Sequence, residues 1–381
     1  MKIGVVKERR PNERRCAVSP DSIKKYVSAG AEVLVETGAG EGSSTPDAAF
    51  QAAGAKIVPD ARAALADADV VLKVQRPMTA AEGTDELGLM KKGALLAAIL
   101  NPYGAKDTIN AYAQAGIVAC AMELMPRISR AQNMDVLSSQ SNLAGYKAVL
   151  DAAAEFGRAF PMMMTAAGTV APARVFIMGV GVAGLQAIAT ARRLGAIVSA
   201  TDVRPATKEQ VMSLGATFVA VEDEEFKQAE TAGGYAKEMS DSYKAKQAAL
   251  VAEHIKKQDV IITTALIPGR KAPVLVTEEM VKSMKPGSVI VDLAVEQGGN
   301  CPLSEVGKVV EKHGVKLVGH ANVPSRLAAD ATSLYAKNLL NFLTLLIDKE
   351  TKGLKINWED EIVKGVALTR DGQIIHPNFK A

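Results

Sequence analysis

The chain has 381 residues, 48% of them hydrophobic and 4% aromatic, with a formal net charge of +3. That length is a prior of two to three domains, and the small, interspersed charge leaves no basic stripe for nucleic acid and no acidic tail. Cys16, Cys120 and Cys301 are far apart and odd in number, which fits a reducing cytosol better than a disulfide framework or a CxxC site. His254, His313, His320 and His376 form no HxxxH or HxH pair, so no metal site is expected.

The opening MKIGVVKERR lacks the apolar stretch of a signal peptide and reads as a first strand. Short β-branched runs then alternate with helical patterns, the mark of parallel α/β architecture. Strands are expected at 3–6, 32–36, 70–74, 94–100 and 117–120, with helices at 21–29 and 107–114 among them. A long helical stretch without strand character follows at 135–160. Behind it, Pro161-Met162-Met163-Met164 reads as apolar filler at a domain junction rather than a Met-rich partner surface.

A second series starts after Pro172, with strands at 174–178, 197–201, 217–219, 259–263, 288–292 and 316–319. Six strands complete a doubly wound sheet. Between the third and fourth of them, the charged stretch 222–247 holds Gly233-Gly234. Helix is expected in it from about Ser240; the rest is too long for an ordinary connection and reads as a lid or a disordered segment. A helix at 325–346 follows the last strand. Its apolar run from Leu339 to Ile347 is interrupted by Asn341 and falls far short of the ~20 residues of a membrane span, so the chain is not expected to cross a membrane by itself. The expected fold is α/β: two Rossmann-like doubly wound parallel-sheet domains joined by long helices, with a cleft between them. The first domain is discontinuous (1–137 and 327–381) and the second (138–326) is an insertion in it.

The strongest motif is Gly179-Val180-Gly181-Val182-Ala183-Gly184, a GxGxxG directly after the strand RVFIM and opening the helix LQAIATARRLG. Glycines there allow a tight turn, close approach of backbone to a pyrophosphate, and close packing of helix on strand. The free N–H groups and positive dipole end of the helix then face the phosphates. A bare GxGxxG is weak, but here Asp202 ends the next strand, 18 residues beyond Gly184. Its carboxylate would accept hydrogen bonds from the adenosine ribose and repel a 2′-phosphate, which points to NAD(H) rather than NADP(H). Arg204 has two readings: a holder of a 2′-phosphate, or a side chain packed over adenine or left at the surface.

The whole chain resembles the superfamily of alanine dehydrogenases and transhydrogenase alpha subunits. KERRPNERRCAVSP, ETGAGEGSS, MKPGSVIVDLAVEQGG and GHANVPS match its shared pattern in order. MELMPRISRAQNMDVLSSQSNLAGYKAV, QRPMTAAEGTDE and TAGGYAKEMS resemble only the transhydrogenase branch. The departures from alanine dehydrogenase fall on its chemistry. Its strand-end motif KVKEP supplies a catalytic lysine; here the motif is KVQRP and the position is Gln75. Asn101 stands at the place of its catalytic histidine, and Glu296 at that of the aspartate before the glycine pair, whereas Arg15, which would bind a substrate carboxylate, remains. Reducing pyruvate and ammonia to alanine needs proton transfers that neither amide can make. Hydride passage between two nicotinamides needs none.

The resemblance implies the NAD(H)-binding alpha (alpha-1) subunit of a proton-translocating NAD(P) transhydrogenase. Arg127, Gln132 and Asp135 would then surround the nicotinamide end, with Ile128 and Ser129 beside them and a hydroxyl contact from Ser138. Gly179, Gly181, Val182 and Gly184 would hold the pyrophosphate, Asp202, Val203 and Arg204 the adenosine, and Thr264, Ala265 and Leu266 would complete the contacts. Gly234 and Tyr235 would form the tip of a lid. The plainer reading makes Asp135 a helix N-cap and Arg127 a surface charge. Tyr146 could face the cleft or a core; Lys73 could approach the cleft or reach solvent. The resemblance further implies a homodimer, NADP(H) bound on a partner component, membrane-spanning partner subunits, and a peripheral location on the cytoplasmic face of the inner membrane. The competing readings are an amino-acid dehydrogenase with unusual acid/base residues and a non-catalytic NAD(H) sensor or scaffold.

Overall fold

The computed structural model describes residues 1–104, 106–229, 239–348 and 350–380. They divide into two compact units, Met1–Gln140 with Pro324–Ala381, and Ser141–Val323. In the first, β1 (Lys2–Val5), β2 (Glu32–Glu36), β3 (Lys56–Val58), β4 (Val70–Gln75), β5 (Leu95–Ile99) and β6 (Val118–Ala121) make one parallel sheet in the order β3-β2-β1-β4-β5-β6. The strand order reverses between β1 and β4, where an open parallel sheet leaves a crevice at its carboxyl ends. Ile3, Val5, Val70 and Leu72 join a core on one face, Val71, Leu96 and Ala98 one on the other. Burial on both faces is why these strands read as unbroken apolar runs. β3 was not expected: its three residues, Lys-Ile-Val, are exposed or half-buried and leave almost no periodic signal.

The chain passes from one unit to the other within the helix α1 (Val136–Glu155). The expected helix ran on to 160, but Phe156–Phe160 is irregular: it bends at Gly157, with the Phe156 and Phe160 rings edge to face at 6.1 Å. The methionine run after it is not filler. Met163–Thr165 pairs antiparallel with Gly168–Val170 in a hairpin, and Met162, Met163 and Met164 are 60, 43 and 77% exposed. Gly168, at φ +134°, makes the turn possible. No charged residue lies between Arg158 and Arg174.

The second unit holds β7 (Arg174–Met178), β8 (Ile197–Thr201), β9 (Thr217–Phe218), β10 (Val260–Thr263), β11 (Val289–Asp292), β12 (Lys308–Lys312) and β13 (Val315–Gly319), ordered β9-β8-β7-β10-β11-β13-β12. Six run parallel; β12, missed in the sequence, is an antiparallel edge strand, Lys-Val-Val-Glu-Lys, mostly exposed. The helix α2 (Val182–Arg193) follows β7, and α3 (Asp241–Ile255), capped by Ser240, leads into β10. Residues 230–238, with Gly233, Gly234, Tyr235 and about half of the expected lid, lie outside the described residues. On either side of them the connection is built in: Val221 N donates to Gln247 Oε1 at 2.8 Å and Tyr243 Oη to the Val221 carbonyl at 3.0 Å.

The last long helix, α4 (Ala328–Leu346), belongs to the first unit, where Tyr335, Leu339, Phe342, Leu343 and Leu346 enter the core beside β1 and β2. A 3-10 turn over Val323–Leu327 precedes it, so the helix proper starts three residues later than expected. Among the described residues no helix is long and apolar enough to cross a membrane.

Candidate nucleotide site

In the second unit the glycine turn is set by three contacts. Gly179 has φ +101° and its N–H donates to the Thr201 carbonyl at 3.0 Å, tying the turn to the end of β8. Gly184 sits against the same turn so closely that a Cβ would lie 1.9 Å from the Gly179 oxygen. Thr264, just past β10, donates its hydroxyl to that oxygen at 2.9 Å. Gly181 and Val182 at the N-terminus of α2 are exposed, and a Cβ on Gly181 would meet nothing within 4 Å. A first turn with open space before its free N–H groups is what a pyrophosphate requires.

Asp202 stands beside this turn, accepting from Val180 N at 2.7 Å. Arg204 clasps the same carboxylate, with Nε 2.9 Å from Oδ1 and Nη2 3.0 Å from Oδ2, and its backbone N–H adds a bond of 2.9 Å to Oδ1. Arg204 is thus the partner of Asp202, a contact that neither reading of its sequence position included. Val203 and Leu266 are both 48% exposed, just past the ends of β8 and β10, the two strands that flank β7. Ala265 is held by Asn300, whose Oδ1 accepts the Ala265 N–H at 3.1 Å and whose Nδ2 donates to the Ala265 carbonyl at 2.9 Å. Asn300 is itself fixed by Asp292, a buried carboxylate that also takes the Thr263 hydroxyl and the N–H groups of Ala294 and Cys301. Asn300 and Asp292 went unnoticed in the sequence; the sign of them was the Asp at the end of β11 and the asparagine directly after the glycine pair.

In the first unit Arg127, Ile128, Ser129, Gln132, Asp135 and Ser138 follow β6 in one segment. Gln132 lies in a 3-10 turn, Ser129–Met134, and both it and Arg127 are exposed. Asp135 caps α1: Oδ1 accepts Ser138 N at 2.9 Å and Oδ2 the Ser138 hydroxyl. The plainer reading of Asp135 thus holds in the structure.

Elsewhere in the first unit is a network of charge. Arg15, 3% exposed, donates Nε to Glu13 Oε1 at 2.8 Å, Nη2 to Glu13 Oε2 at 2.6 Å and Nη1 to Gln140 Oε1 at 2.8 Å. Gln75 Nε2 adds 2.9 Å to Glu13 Oε2. Burial would raise the Glu13 carboxyl, but the Arg15 hydrogen bonds and charge, with help from Gln75, hold it down at about 2. Lys73 reaches neither solvent nor an open site. It is 1% exposed, with Nζ 3.1 Å from both Glu8 Oε2 and Glu86 Oε2. Burial raises the Glu8 carboxyl against the pull of the Lys73 ammonium. Tyr146, 38% exposed on α1, is not a core residue. Among the described residues no group of His, Cys, Asp and Glu has the arrangement of a metal site.

Residues 4–144 match the alanine dehydrogenase/PNT N-terminal domain and 148–377 the alanine dehydrogenase/PNT C-terminal domain. The chain belongs to the alanine dehydrogenase/PNT family. Within the family it is 66% identical over 99% of its length to an NAD(P) transhydrogenase alpha subunit of Rhodospirillum rubrum, covering 98% of that protein. The crystal structure of transhydrogenase from Sinorhizobium meliloti superposes with a TM-score of 0.89 at 56% identity, covering 98% of this chain and 100% of that one. Alanine dehydrogenase of Methanococcus maripaludis is only 31% identical, over 99% of this chain and 95% of its own. Family membership and fold are therefore as the sequence motifs indicated, and the chain is far more similar to the transhydrogenase subunits than to the dehydrogenase.

Proposed function

We propose that this chain is the NAD(H)-binding component of a proton-translocating nicotinamide nucleotide transhydrogenase, passing hydride to or from NADP(H) held by a partner component. The observation that carries the reading is the Gln75–Glu13 hydrogen bond. An amide that neither gives nor takes a proton stands in the charged network where the family's amino-acid dehydrogenases carry a lysine, and Asn101 is a second such amide. Proton transfer has no donor at these places, while hydride transfer asks only for alignment of two rings.

The dinucleotide supplies the hydride when bound. This chain's part is to hold it. Gly179, Gly181, Val182 and Gly184 offer the pyrophosphate the N-terminus of α2, Asp202 takes the adenosine ribose, and Thr264, Ala265 and Leu266 flank the turn. Gln132, Asp135 and Ser138, with Arg127, Ile128 and Ser129, orient the nicotinamide end. Without a helix that could span a bilayer among the described residues, the proton path is assigned to membrane-spanning partner subunits, with this chain peripheral on the cytoplasmic face of the inner membrane. The hairpin supports a homodimer: a two-stranded ribbon is marginal by itself, and this one is exposed and bare of charge over 159–173.

Two measurements test this. The isolated chain should oxidise no alanine with NAD+, and should transfer hydride once reconstituted with an NADP(H)-binding component; amino-acid turnover above a no-enzyme blank would overturn the reading. Calorimetry should also show NADH bound in clear preference to NADPH, since a 2′-phosphate would meet the Asp202 carboxylate. Equal affinities would mean that Arg204 leaves Asp202 to pair with the phosphate, and the assignment of the nucleotide would fall.

A further inference from the structure

The α4 helix is apolar on its buried side, yet it carries a polar residue at every third position: Thr332, Tyr335, Asn338 and Asn341. Each makes a hydrogen bond outside the helix. Thr332 Oγ1 accepts from Cys16 N at 3.0 Å, and Tyr335 Oη donates to the Lys73 carbonyl at 2.8 Å. Asn338 Nδ2 and Asn341 Nδ2 both donate to one atom, the Asn133 carbonyl oxygen, each at 2.9 Å. Asn338 is 7% exposed, and its Oδ1 takes the Ser139 hydroxyl at 2.7 Å. A leucine at 338 would fill a core as well, so the buried amide is not explained by packing.

A carbonyl has two lone pairs, and two donors fix its peptide plane in direction as well as in place. That peptide joins Asn133 to Met134, directly after Gln132 and directly before Asp135. The pair therefore anchors the short turn that presents the exposed Gln132 side chain. Ser139, on the first turn of α1, is tied into the same anchor through Asn338.

We propose that Asn338 and Asn341 are positioning residues for hydride transfer: they hold the Gln132–Asp135 turn rigid, so that the nicotinamide ring is presented at one fixed angle. The inference rests on the function proposed above. Both side-chain amides are committed to the Asn133 carbonyl, so their loss should cost rate and leave affinity nearly intact.

The test uses the full chain reconstituted with the NADP(H)-binding component, with single-turnover hydride transfer and NADH affinity measured side by side. Since a misplacement of ~1 Å costs on the order of 100-fold in rate, Asn341→Ala should lose roughly 10-fold and Asn338→Ala/Asn341→Ala roughly 100-fold, with NADH affinity changed less than about twofold. Asn341→Gln, which keeps an amide donor on a longer stem at a half-buried position, should recover most of the rate. An unchanged rate in Asn341→Ala overturns the proposal, and so does a fall in rate matched by an equal fall in affinity. Should the Asn338 variant not fold, Asn341→Ala against Asn341→Gln decides alone. If the wild type transfers no hydride, the proposed function fails, and amide hydrogen exchange over residues 129–135 then judges the anchor separately. Faster exchange in Asn341→Ala supports the anchor; equal exchange overturns it.

Discussion

Replacing Lys73 by methionine is expected to lower the folding stability of this protein by roughly 3–5 kcal/mol, the usual result of breaking a buried ion pair from one side. The ammonium lies between Glu8 and Glu86, 3.1 Å from each, and none of the three side chains is more than 3% exposed. Methionine fills much of the volume but leaves two carboxylates with less positive charge between them. Arg9, whose Nη1 is 3.5 Å from Glu86, compensates only one of them. The pH dependence follows from the direction of the Glu8 shift. Its folded carboxyl is already raised by burial, and without Lys73 it rises further. A raised carboxyl destabilises the fold at pH above its folded value and ceases to do so below its unfolded one. The deficit should therefore be full at about pH 8 and shrink towards about pH 5. Urea unfolding of both proteins at the two pH values measures it. A loss below about 1 kcal/mol at the higher pH would mean that the glutamates are relieved by water or by a partner other than Lys73.

Substituting Gly145 by alanine should all but abolish dinucleotide binding, although Gly145 lies outside the glycine turn. It faces α2 from within α1, and a Cβ there would sit 2.0 Å from the Ala183 carbonyl oxygen and 2.8 Å from the carbon behind it. Both are backbone atoms in the first turn of α2, so no side chain can swing aside. Either α1 moves out or the turn Gly179–Gly184 is pushed from its place, and the N–H groups that would face the pyrophosphate go with it. An affinity loss of 100-fold or more, about 2.8 kcal/mol at 1.4 kcal/mol per tenfold, is expected by titration with NADH. Serine at the same position should behave like alanine. Binding within about threefold of wild type in both would show that the helices separate without disturbing the turn.

Gly145 also shows what the sequence offered and what was not taken from it. A glycine inside a helix costs about 1 kcal/mol relative to alanine, so its presence in NLAGYKAV was itself a sign of close backbone approach. The GxGxxG turn was legible because strand, glycines, helix and Asp202 reinforce one another over one short stretch; β7 and β8 were read residue for residue. β3 and β12 were not legible, since short edge strands have little buried face to give them period two. The hairpin was misread because three methionines in a row suggest a core, and nothing local says that Phe156 and Phe160 already fill it. Asp135 was legible as a cap from its place before Val136. Arg204 was not, because the same guanidinium could serve a phosphate or a carboxylate two residues away, and only the geometry of the turn selects the second. Lys73 defeated sequence reading for a related reason: its two partners are 65 and 13 residues away along the chain, and only the sheet brings them together.

The first unit is interrupted, and this bears on how the protein is made. Its core needs Tyr335, Leu339, Phe342 and Leu346, which leave the ribosome long after Gln140. The second unit, by contrast, is continuous from Ser141 to Val323 and is complete before α4 has emerged. At roughly 5–20 residues per second, some ten to forty seconds of synthesis separate the two halves of the first core. During that interval the sheet of β1 to β6 has an uncovered apolar face, so the nascent first unit is the region that must be shielded from aggregation while the second unit folds ahead of it.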